Sequence, residues 1–297
     1  WWDWAKGELV GIPLGTLVVA GLYALLRRFP GRWWLVGWLA SVPLVLLLTL
    51  AWPVLVNPLF DHFEPLAARQ PQLVHPLQQV MARGGLRIEP ERMFEMRASD
   101  KVTTYNAYVT GIGATKRVVV WDNTARDLTV PETMFVFAHE QGHYALHHVW
   151  IGLALEMAGL LLALYAASRV AGATLRRFGA RWHVRGLDDW ASLPALLLLS
   201  SLFALVAQPV RAGLSRAIEH QADVYGLEAI HGLVGDSSQV AAHAFQKLGE
   251  KGLVYPSPHP LFVFWAFDHP PVGDRVRFAL QYRPWEQGQA GRYVQAP

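Results

Sequence analysis

Long apolar runs without charge dominate the pattern of hydrophobic and polar positions along this chain. Two of them, residues 9–26 and 33–56, contain 18 and 24 residues with no charged side chain. Two more lie at residues 150–167 and 190–210, and Glu156 is the one charge in this pair. Because a helix of about 20 apolar residues crosses the hydrocarbon core of a bilayer, the pattern predicts four membrane-spanning helices.

The segments between these runs are polar and predict a small α+β part. Residues 58–149 combine helical periodicity with short alternating stretches rich in Val, Thr and Tyr. The predicted elements are a helix at 74–86, a strand at 92–97, a hairpin at 101–110 and 115–121, and a helix at 133–150. A further helix is predicted at 211–231, running directly out of the fourth apolar run.

Composition narrows the class of protein. Of the 297 residues, 53% are hydrophobic and 16% are charged, so neither a disordered chain nor an ordinary soluble enzyme is expected. The net charge of +3 gives no indication of nucleic-acid binding. The chain has no cysteine, which excludes disulfides, thiol catalysis and cysteine-ligated metals, and its 12 histidines remain as candidates for metal or acid–base chemistry.

The predicted fold class is a mainly α-helical polytopic membrane protein with a small α+β part. Four parts are expected along the chain: membrane helices at 1–57, the α+β part at 58–149, a membrane helical hairpin at 150–210, and a C-terminal part at 211–297. The chain begins with Trp1 and not with Met. We therefore expect a fragment or a processed form, with further spans upstream.

Arginine-rich loops predict an orientation for these spans. Arginines are concentrated at 27–32 and 169–185, in the two loops that four spans place on one side of the membrane. The positive-inside rule assigns that side to the cytoplasm, which puts both long polar segments on the extracytoplasmic side.

The strongest chemical signal is an HExxH pattern in the predicted helix at 133–150. His139 and His143 are four residues apart, so both imidazoles project from one helix face and can bind one zinc ion. Glu140 lies beside them, where it can accept a proton from a water that zinc activates. The predicted fold class is therefore a mainly α-helical polytopic membrane protein with a small α+β, zincin-like catalytic part at 58–149.

A catalytic zinc needs a third protein ligand and an open position. His147 is eight residues from His139, about 12 Å along a straight helix, and is too far away to bind the same ion. We interpret His147 and His148 as packing, interface or cavity-wall residues. The better candidate is Glu219, and Asp223 shares its helix face, so that one carboxylate can bind zinc while the other accepts the free N–H of a zinc-binding histidine.

Taken together, these motifs resemble the Ste24-type CAAX prenyl proteases of the M48 metallopeptidases. The resemblance extends from about residue 53 to residue 282. In chain order it rests on Asn57-Pro58-Leu59-Phe60, Asn106-Ala107-Tyr108, the basic strand from Lys116, the HExxH helix, the two-span hairpin, the helix Ser215–Asp223, and His269-Pro270-Pro271 with Arg275.

The resemblance implies roles for several residues. It implies zinc ligation by His139, His143 and Glu219, with Glu140 as the general base and Asp223 holding a ligand. It also implies that Asn106 lies on an edge strand that pairs with an extended substrate, and that His269 and Arg275 face the zinc and stabilise an oxyanion. Simpler interpretations stay open: a strand residue for Asn106, a turn or cap for His269 and a structural ion pair for Arg275.

The sequence therefore predicts an integral-membrane zinc metalloendopeptidase, CAAX prenyl protease-like, with one zinc per chain. Its expected partners are the lipid bilayer and a peptide or protein substrate that a lipid anchor or a membrane segment holds there, and no nucleic acid. The resemblance places the catalytic motifs on the cytosolic side, against the arginine-based orientation. The alternative is a non-catalytic quality-control or scaffold protein of the membrane that retains a zinc site.

Overall fold

The computed structural model describes residues 1–51, 60–111 and 116–294. The chain divides into two compact units, each built from two separate stretches of sequence. The first unit comprises Trp1–Trp52 and Trp150–Ala207, and the second comprises Pro53–Val149 and Gln208–Pro297.

The first unit consists of apolar helices. Its elements are helix α1 (Trp2–Arg28), helix α2 (Trp33–Ala51), nearly all of helix α7 (His148–Trp182), a 3₁₀ turn (Trp190–Ser192) and the first part of helix α8 (Leu193–Ile230).

Three stretches are long and apolar enough to cross a membrane, namely Trp4–Arg28, His148–Trp182 and Trp190–Ile230. The apolar helix at Trp33–Thr49 is shorter, and the end of the predicted second span, residues 52–56, lies outside the described part. The chain is an integral membrane protein of several helices, as predicted from the apolar runs.

Tyr23 fixes the contact between α1 and the 3₁₀ turn that precedes α8 within the first unit. Its side chain is fully buried, and its hydroxyl lies 2.9 Å from the hydroxyl of Ser192. The Tyr23 ring packs 4.1 Å from that of Trp190, and the Arg27 guanidinium lies 5.0 Å from the same Trp190 ring. Such a pairing satisfies the polar tip of a buried tyrosine while its ring contributes apolar contact.

The second unit is the α+β part. Its strands are β1 (Phe63–Pro65), β2 (Met93–Met96), β3 (Ala107–Thr110) and β4 (Arg117–Trp121). Its helices are α3 (Leu66–Arg69), α4 (Pro71–Arg83), α5 (Asp122–Asp127), α6 (Val130–Ala145), the second part of α8, α9 (Ser237–Lys251), α10 (Pro260–Ala266) and α11 (Val272–Gln281), with 3₁₀ turns at Pro90–Arg92 and Pro284–Gln287.

The four strands form one mixed sheet in the order β1-β2-β4-β3. Strand β2 runs parallel to β4, while β1–β2 and β3–β4 are antiparallel pairs. The antiparallel pairing of β3 with β4, from Ala107 opposite Val120 to Thr110 opposite Arg117, confirms the predicted hairpin. Its turn at residues 112–115 lies outside the described residues.

The larger of two apolar clusters among the described residues of the second unit joins the sheet to its helices. Fully buried side chains from α4, α6, α8 and α9 pack together in it, and the rings of Phe135 and Phe245 meet edge to face at 5.0 Å. Aromatic pairs in this geometry add to the free energy gained from burial alone. The core therefore packs α6, α8 and α9 together, and α6 and α8 carry the candidate chemistry.

The helix that bears the HExxH pattern is shorter than predicted. It ends at Ala145, and the next helix, α7, begins only at His148. Between them His147 adopts φ of +58°, in the left-handed region that a non-glycine residue rarely enters. The predicted helix at 133–150 is therefore divided between two elements, α6 and the start of α7.

Candidate metal centre

Helix α6 presents the two histidines from a firmly capped N-terminus. The Thr129 side chain accepts a hydrogen bond from the backbone N–H of Glu132, whose carboxylate accepts one from the backbone N–H of Thr129. This capping box satisfies two donors that the first turn would otherwise leave free. His139 and His143 follow later in the same helix, where their i, i+4 spacing puts them on one face.

Helix α8 reaches these histidines because two glycines let the helices approach closely. A Cβ atom at Gly226 would lie 3.2 Å from the backbone nitrogen of His139 and 3.1 Å from Phe135. A Cβ atom at Gly142 would lie 3.0 Å from Cβ of Tyr225. Larger residues at either glycine would push α8 away from α6, and with it the carboxylates that α8 carries.

Three side chains converge at this crossing. Nε2 of His139 lies 3.2 Å from Nε2 of His143 and 3.2 Å from Oε2 of Glu219. Nε2 of His143 lies 3.6 Å from the other Glu219 oxygen, Oε1. One ligand atom from each residue falls within 4.8 Å of the others, so the three side chains could hold a single metal ion.

Asp223 and Arg275 support this group from one side. Nδ1 of His139, the nitrogen remote from the cluster, lies 2.9 Å from Oδ1 of Asp223. Arg275 on α11 donates two hydrogen bonds to Asp223, from Nε at 2.9 Å and from Nη2 at 2.6 Å, and its guanidinium lies over the Phe245 ring. Both of these donors are directed at Asp223, so Arg275 acts on the cluster through that carboxylate.

The electrostatics favour positive charge at the cluster. Burial lowers the pKa of His139, but the adjacent carboxylates of Asp223 and Glu219 outweigh this effect and raise the pKa to about 9. Burial raises the pKa of Glu219, but the adjacent imidazoles of His139 and His143 outweigh this effect, so the pKa of this carboxyl lies well below its ordinary value. A carboxylate held ionised beside two imidazoles is a suitable environment for a cation.

The donor set fits zinc. Two imidazoles and one carboxylate leave a fourth position open, which is the pattern of catalytic zinc sites. Oε2 of Glu219 is buried, yet it makes no hydrogen bond of acceptable geometry with the described residues, although Nε2 of His139 is close. A metal ion bound between the three side chains would satisfy this oxygen.

Glu140 is held in a poorly solvated environment next to the cluster. Burial raises the pKa of its carboxyl, while the neighbouring imidazoles of His139 and His143 lower it to a smaller extent. A carboxylate with a raised pKa is a better proton acceptor than an ordinary surface carboxylate.

His269 and Asn106 occupy more peripheral positions. The half-exposed His269 ring has Nε2 3.3 Å from Oε2 of Glu219 and Nδ1 2.9 Å from Oδ1 of Asp268. Asn106 immediately precedes β3, an edge strand of the described sheet, and its backbone exchanges hydrogen bonds with the Thr124 hydroxyl at 2.8 Å.

One neighbour of the cluster, His148, was interpreted from the sequence only as a packing, interface or cavity-wall residue. His148 is buried, with Nδ1 3.1 Å from Nδ1 of His143 and Nε2 3.4 Å from Oε1 of Gln221. The sequence shows that His148 follows His143 by five residues. The contact between the two depends on the break at His147, which the periodicity did not predict.

Fold and site together define a class, that of helical membrane proteins with an HExxH-type metal centre. The chain belongs to peptidase family M48, whose family model matches residues 67–283. A second model, described as the CAAX prenyl protease N-terminal part with five membrane helices, matches residues 1–62. The resemblance inferred from the motifs is thereby confirmed.

Individual relatives agree with this family. The chain is 34% identical over 281 residues to the uncharacterized metalloprotease YhfN of Bacillus subtilis, with 93% of the chain and 64% of the relative covered. It is 26% identical to a CAAX prenyl protease 1 homolog of Arabidopsis thaliana, with 93% and 62% covered. The chain thus spans less than two thirds of the length of these two curated relatives.

A solved structure shares the fold. The crystal structure of S. mikatae Ste24p matches with a TM-score of 0.78 and 22% identity, covering 94% of this chain and 66% of that one. The match supports the predicted fold class of a polytopic helical protein with a small α+β part.

Proposed function

We propose that this chain carries the catalytic site of an integral-membrane zinc metalloendopeptidase similar to the CAAX prenyl proteases. The observation that carries the proposal is the convergence of His139, His143 and Glu219, whose ligand atoms lie within 4.8 Å of one another, beside Glu140. The family and the names of the relatives support the same reaction class.

The three converging side chains would hold one zinc ion per chain. When bound, zinc supplies a Lewis acid that polarises a peptide carbonyl and lowers the pKa of a water molecule. In this proposal Asp223 accepts the Nδ1 proton of His139, which leaves Nε2 free for the metal, and Arg275 keeps that carboxylate ionised and oriented.

Glu140 is proposed as the general base. Its carboxylate takes a proton from the water that attacks the carbonyl carbon, and then gives that proton to the departing amine as the C–N bond breaks. The raised pKa that burial gives Glu140 suits both steps, because the group must accept the proton and release it again near neutral pH.

Two further residues are proposed to handle the substrate. The Nε2 atom of His269, which is close to Glu219 and half exposed, can donate to the carbonyl oxygen as negative charge develops on it. Asn106 immediately precedes edge strand β3, whose outer side is unpaired among the described strands and can pair with an extended peptide.

The proposed substrate is a peptide or protein segment held at the membrane. Several relatives are called CAAX prenyl proteases, and the likeness to the one from Arabidopsis thaliana covers 93% of the chain, so it includes the membrane helices as well as the site. A prenylated C-terminus is therefore the first substrate to test, and the same peptide without its lipid tests whether the bilayer anchor matters.

The proposal is tested with the zinc-loaded chain in detergent, by mass spectrometry of both peptides. The Glu140→Gln variant should lose a factor on the order of 10²–10⁴ in turnover and still bind one zinc, because its side chain is not a proposed ligand. Glu286→Gln, a change of the same kind at an exposed glutamate, should leave turnover unchanged.

Full activity of Glu140→Gln would reject the mechanism. If the zinc-loaded wild-type chain cleaved neither peptide, the result would contradict the proposal and favour the non-catalytic alternative. Zinc content measured on the same samples separates loss of the base from loss of the metal.

A further inference from the structure

His148 makes a contact that no role assigned so far explains. It is 5% exposed and lies between two helices of the second unit, against His143 of α6 and Gln221 of α8. The two imidazoles meet edge to face, with ring centroids 5.1 Å apart. Their close nitrogens are both Nδ1, at 3.1 Å.

The contact depends on the break between α6 and α7. At 100° per residue, two side chains five positions apart on one helix point about 140° away from each other, and their rings cannot meet. Here α6 ends at Ala145, and the left-handed conformation of His147 redirects the chain before His148 begins the next helix. The left-handed conformation of His147 therefore brings His148 into contact with His143.

The proton positions follow from one assignment. Nε2 of His143 faces Nε2 of His139 and the carboxylate of Glu219, so it is the nitrogen that would bind the metal. The proton of the neutral His143 ring is then on Nδ1.

That proton requires an acceptor, and His148 provides one. Nδ1 of His148 accepts from Nδ1–H of His143, which places the His148 proton on Nε2. This N–H in turn points to Oε1 of Gln221 at 3.4 Å. Both rings are neutral in this arrangement, and each nitrogen has a distinct partner.

We infer that His148 is a positioning residue that fixes the ring orientation and tautomer of His143, and that Gln221 fixes His148 in turn. His148 accepts the Nδ1 proton of His143 as Asp223 accepts the Nδ1 proton of His139, but the acceptor is a neutral ring nitrogen and not a carboxylate. Loss of such partners lowers metal affinity by about 10–100-fold in other metal sites. The inference rests on the proposed metal site.

Zinc affinity of the full chain in detergent, measured by competition with a chromophoric chelator, tests the inference. His148→Leu removes the acceptor and should weaken zinc binding by about 10–100-fold. His148→Asn offers its Oδ1 as a replacement acceptor and should recover most of that loss. The control is His147→Asn, the same change one residue earlier at an exposed position whose left-handed backbone asparagine tolerates well, and it should bind zinc as wild type does.

Wild-type affinity in His148→Leu would overturn the inference, and so would an equal loss in His148→Leu and His148→Asn, because then the acceptor is not what matters. If melting of the zinc-free His148→Leu chain shows that it is unfolded, Gln221→Leu decides. Weakening by about threefold or more supports the inference, and unchanged binding rejects it. If the wild-type chain itself binds no zinc, the proposed function fails. If the wild-type chain binds zinc and His148→Leu binds it equally well, only the inference about His148 fails.

Discussion

Asp223 shows how a buried carboxylate is controlled by the residues around it. It is 1% exposed, and a buried negative charge is costly unless it is paired. Burial raises its pKa, but the Arg275 guanidinium and the His139 ring outweigh this, so the pKa of Asp223 lies below its ordinary value. The bidentate geometry from Arg275 fixes both carboxylate oxygens and thereby the His139 ring.

We predict that Arg275→Lys lowers zinc affinity by up to about tenfold, because an ammonium cannot make two parallel hydrogen bonds to Asp223. Chelator competition on the full chain measures this. Arg277→Lys, on the same helix at an exposed position paired with Asp274, is the matched control and should bind zinc normally. Equal affinities in the two variants would show that the orientation of Asp223 does not depend on the guanidinium.

Single residues differed in how far the sequence could predict their positions. The i, i+4 spacing alone puts His139 and His143 on one face, since it is a property of any α-helix. His148 and Gln221 could not be found this way, because their contact requires a backbone conformation at His147 that no periodicity encodes. Arg275 was predicted to face the metal, and its two strongest contacts are instead with Asp223.

Among the elements, helix α6 depends on its first turn. Glu132 is 4% exposed and closes the capping box with Thr129, and its carboxylate also lies 2.7 Å from Nζ of Lys247 on α9. One side chain therefore satisfies the helix N-terminus and joins two helices of the second unit.

This arrangement predicts a pH dependence. Burial raises the pKa of Glu132, but Lys247 and the hydrogen bonds from Thr129 outweigh it, and the pKa lies below the ordinary value. The unfolded chain, with a glutamate pKa of about 4.3, therefore takes up this proton first as the pH falls. The stabilisation is fully present above about pH 4.3 and is lost as the pH falls through the lower pKa of the folded state.

Glu132→Gln should therefore lower the free energy of unfolding by about 1–2 kcal/mol at pH 7 and reduce the further loss on acidification. Thermal unfolding between pH 7 and pH 3 measures both effects, with chelator present throughout so that zinc release does not contribute. Glu250→Gln, at an exposed position on α9, is the control. A parallel pH profile for Glu132→Gln and wild type would contradict the prediction.

Sequence patterns predicted an element where the residues within that element are enough to specify it. Short alternating stretches rich in Val, Thr and Tyr predicted the β3–β4 hairpin and the strand that became β2. They did not predict that β2 pairs in parallel with β4, because that register is set by packing across the sheet and not by neighbouring residues.

For the whole molecule, every proposed metal ligand lies within the second unit, on two helices that are far apart in sequence. A ligand that binds the folded state stabilises it by mass action. A zinc ion bound by α6 and α8 together should thus act as a cross-link within this unit.

Removing zinc with a chelator should therefore destabilise the second unit. The free energy of unfolding should fall by about 4 kcal/mol compared with a sample in which free zinc is at 1,000 times its dissociation constant. Hydrogen exchange followed by mass spectrometry should show faster exchange in α6 and in residues 208–230 of α8. In Glu219→Ala, which lacks one ligand, the chelator should have little effect. Identical exchange in wild-type protein with and without chelator would argue against a metal shared by the two helices.

The sequence by itself determined the membrane-spanning helices, since uninterrupted apolar length is sufficient for that conclusion. It also determined which residues could perform the chemistry, since the spacing of His139, Glu140 and His143 within a helix fixes their common face. Tertiary structure decided which distant groups complete the site. Glu219 is 76 residues from His143 in the chain, and it reaches the histidines only because Gly142 and Gly226 allow two helices to pack closely.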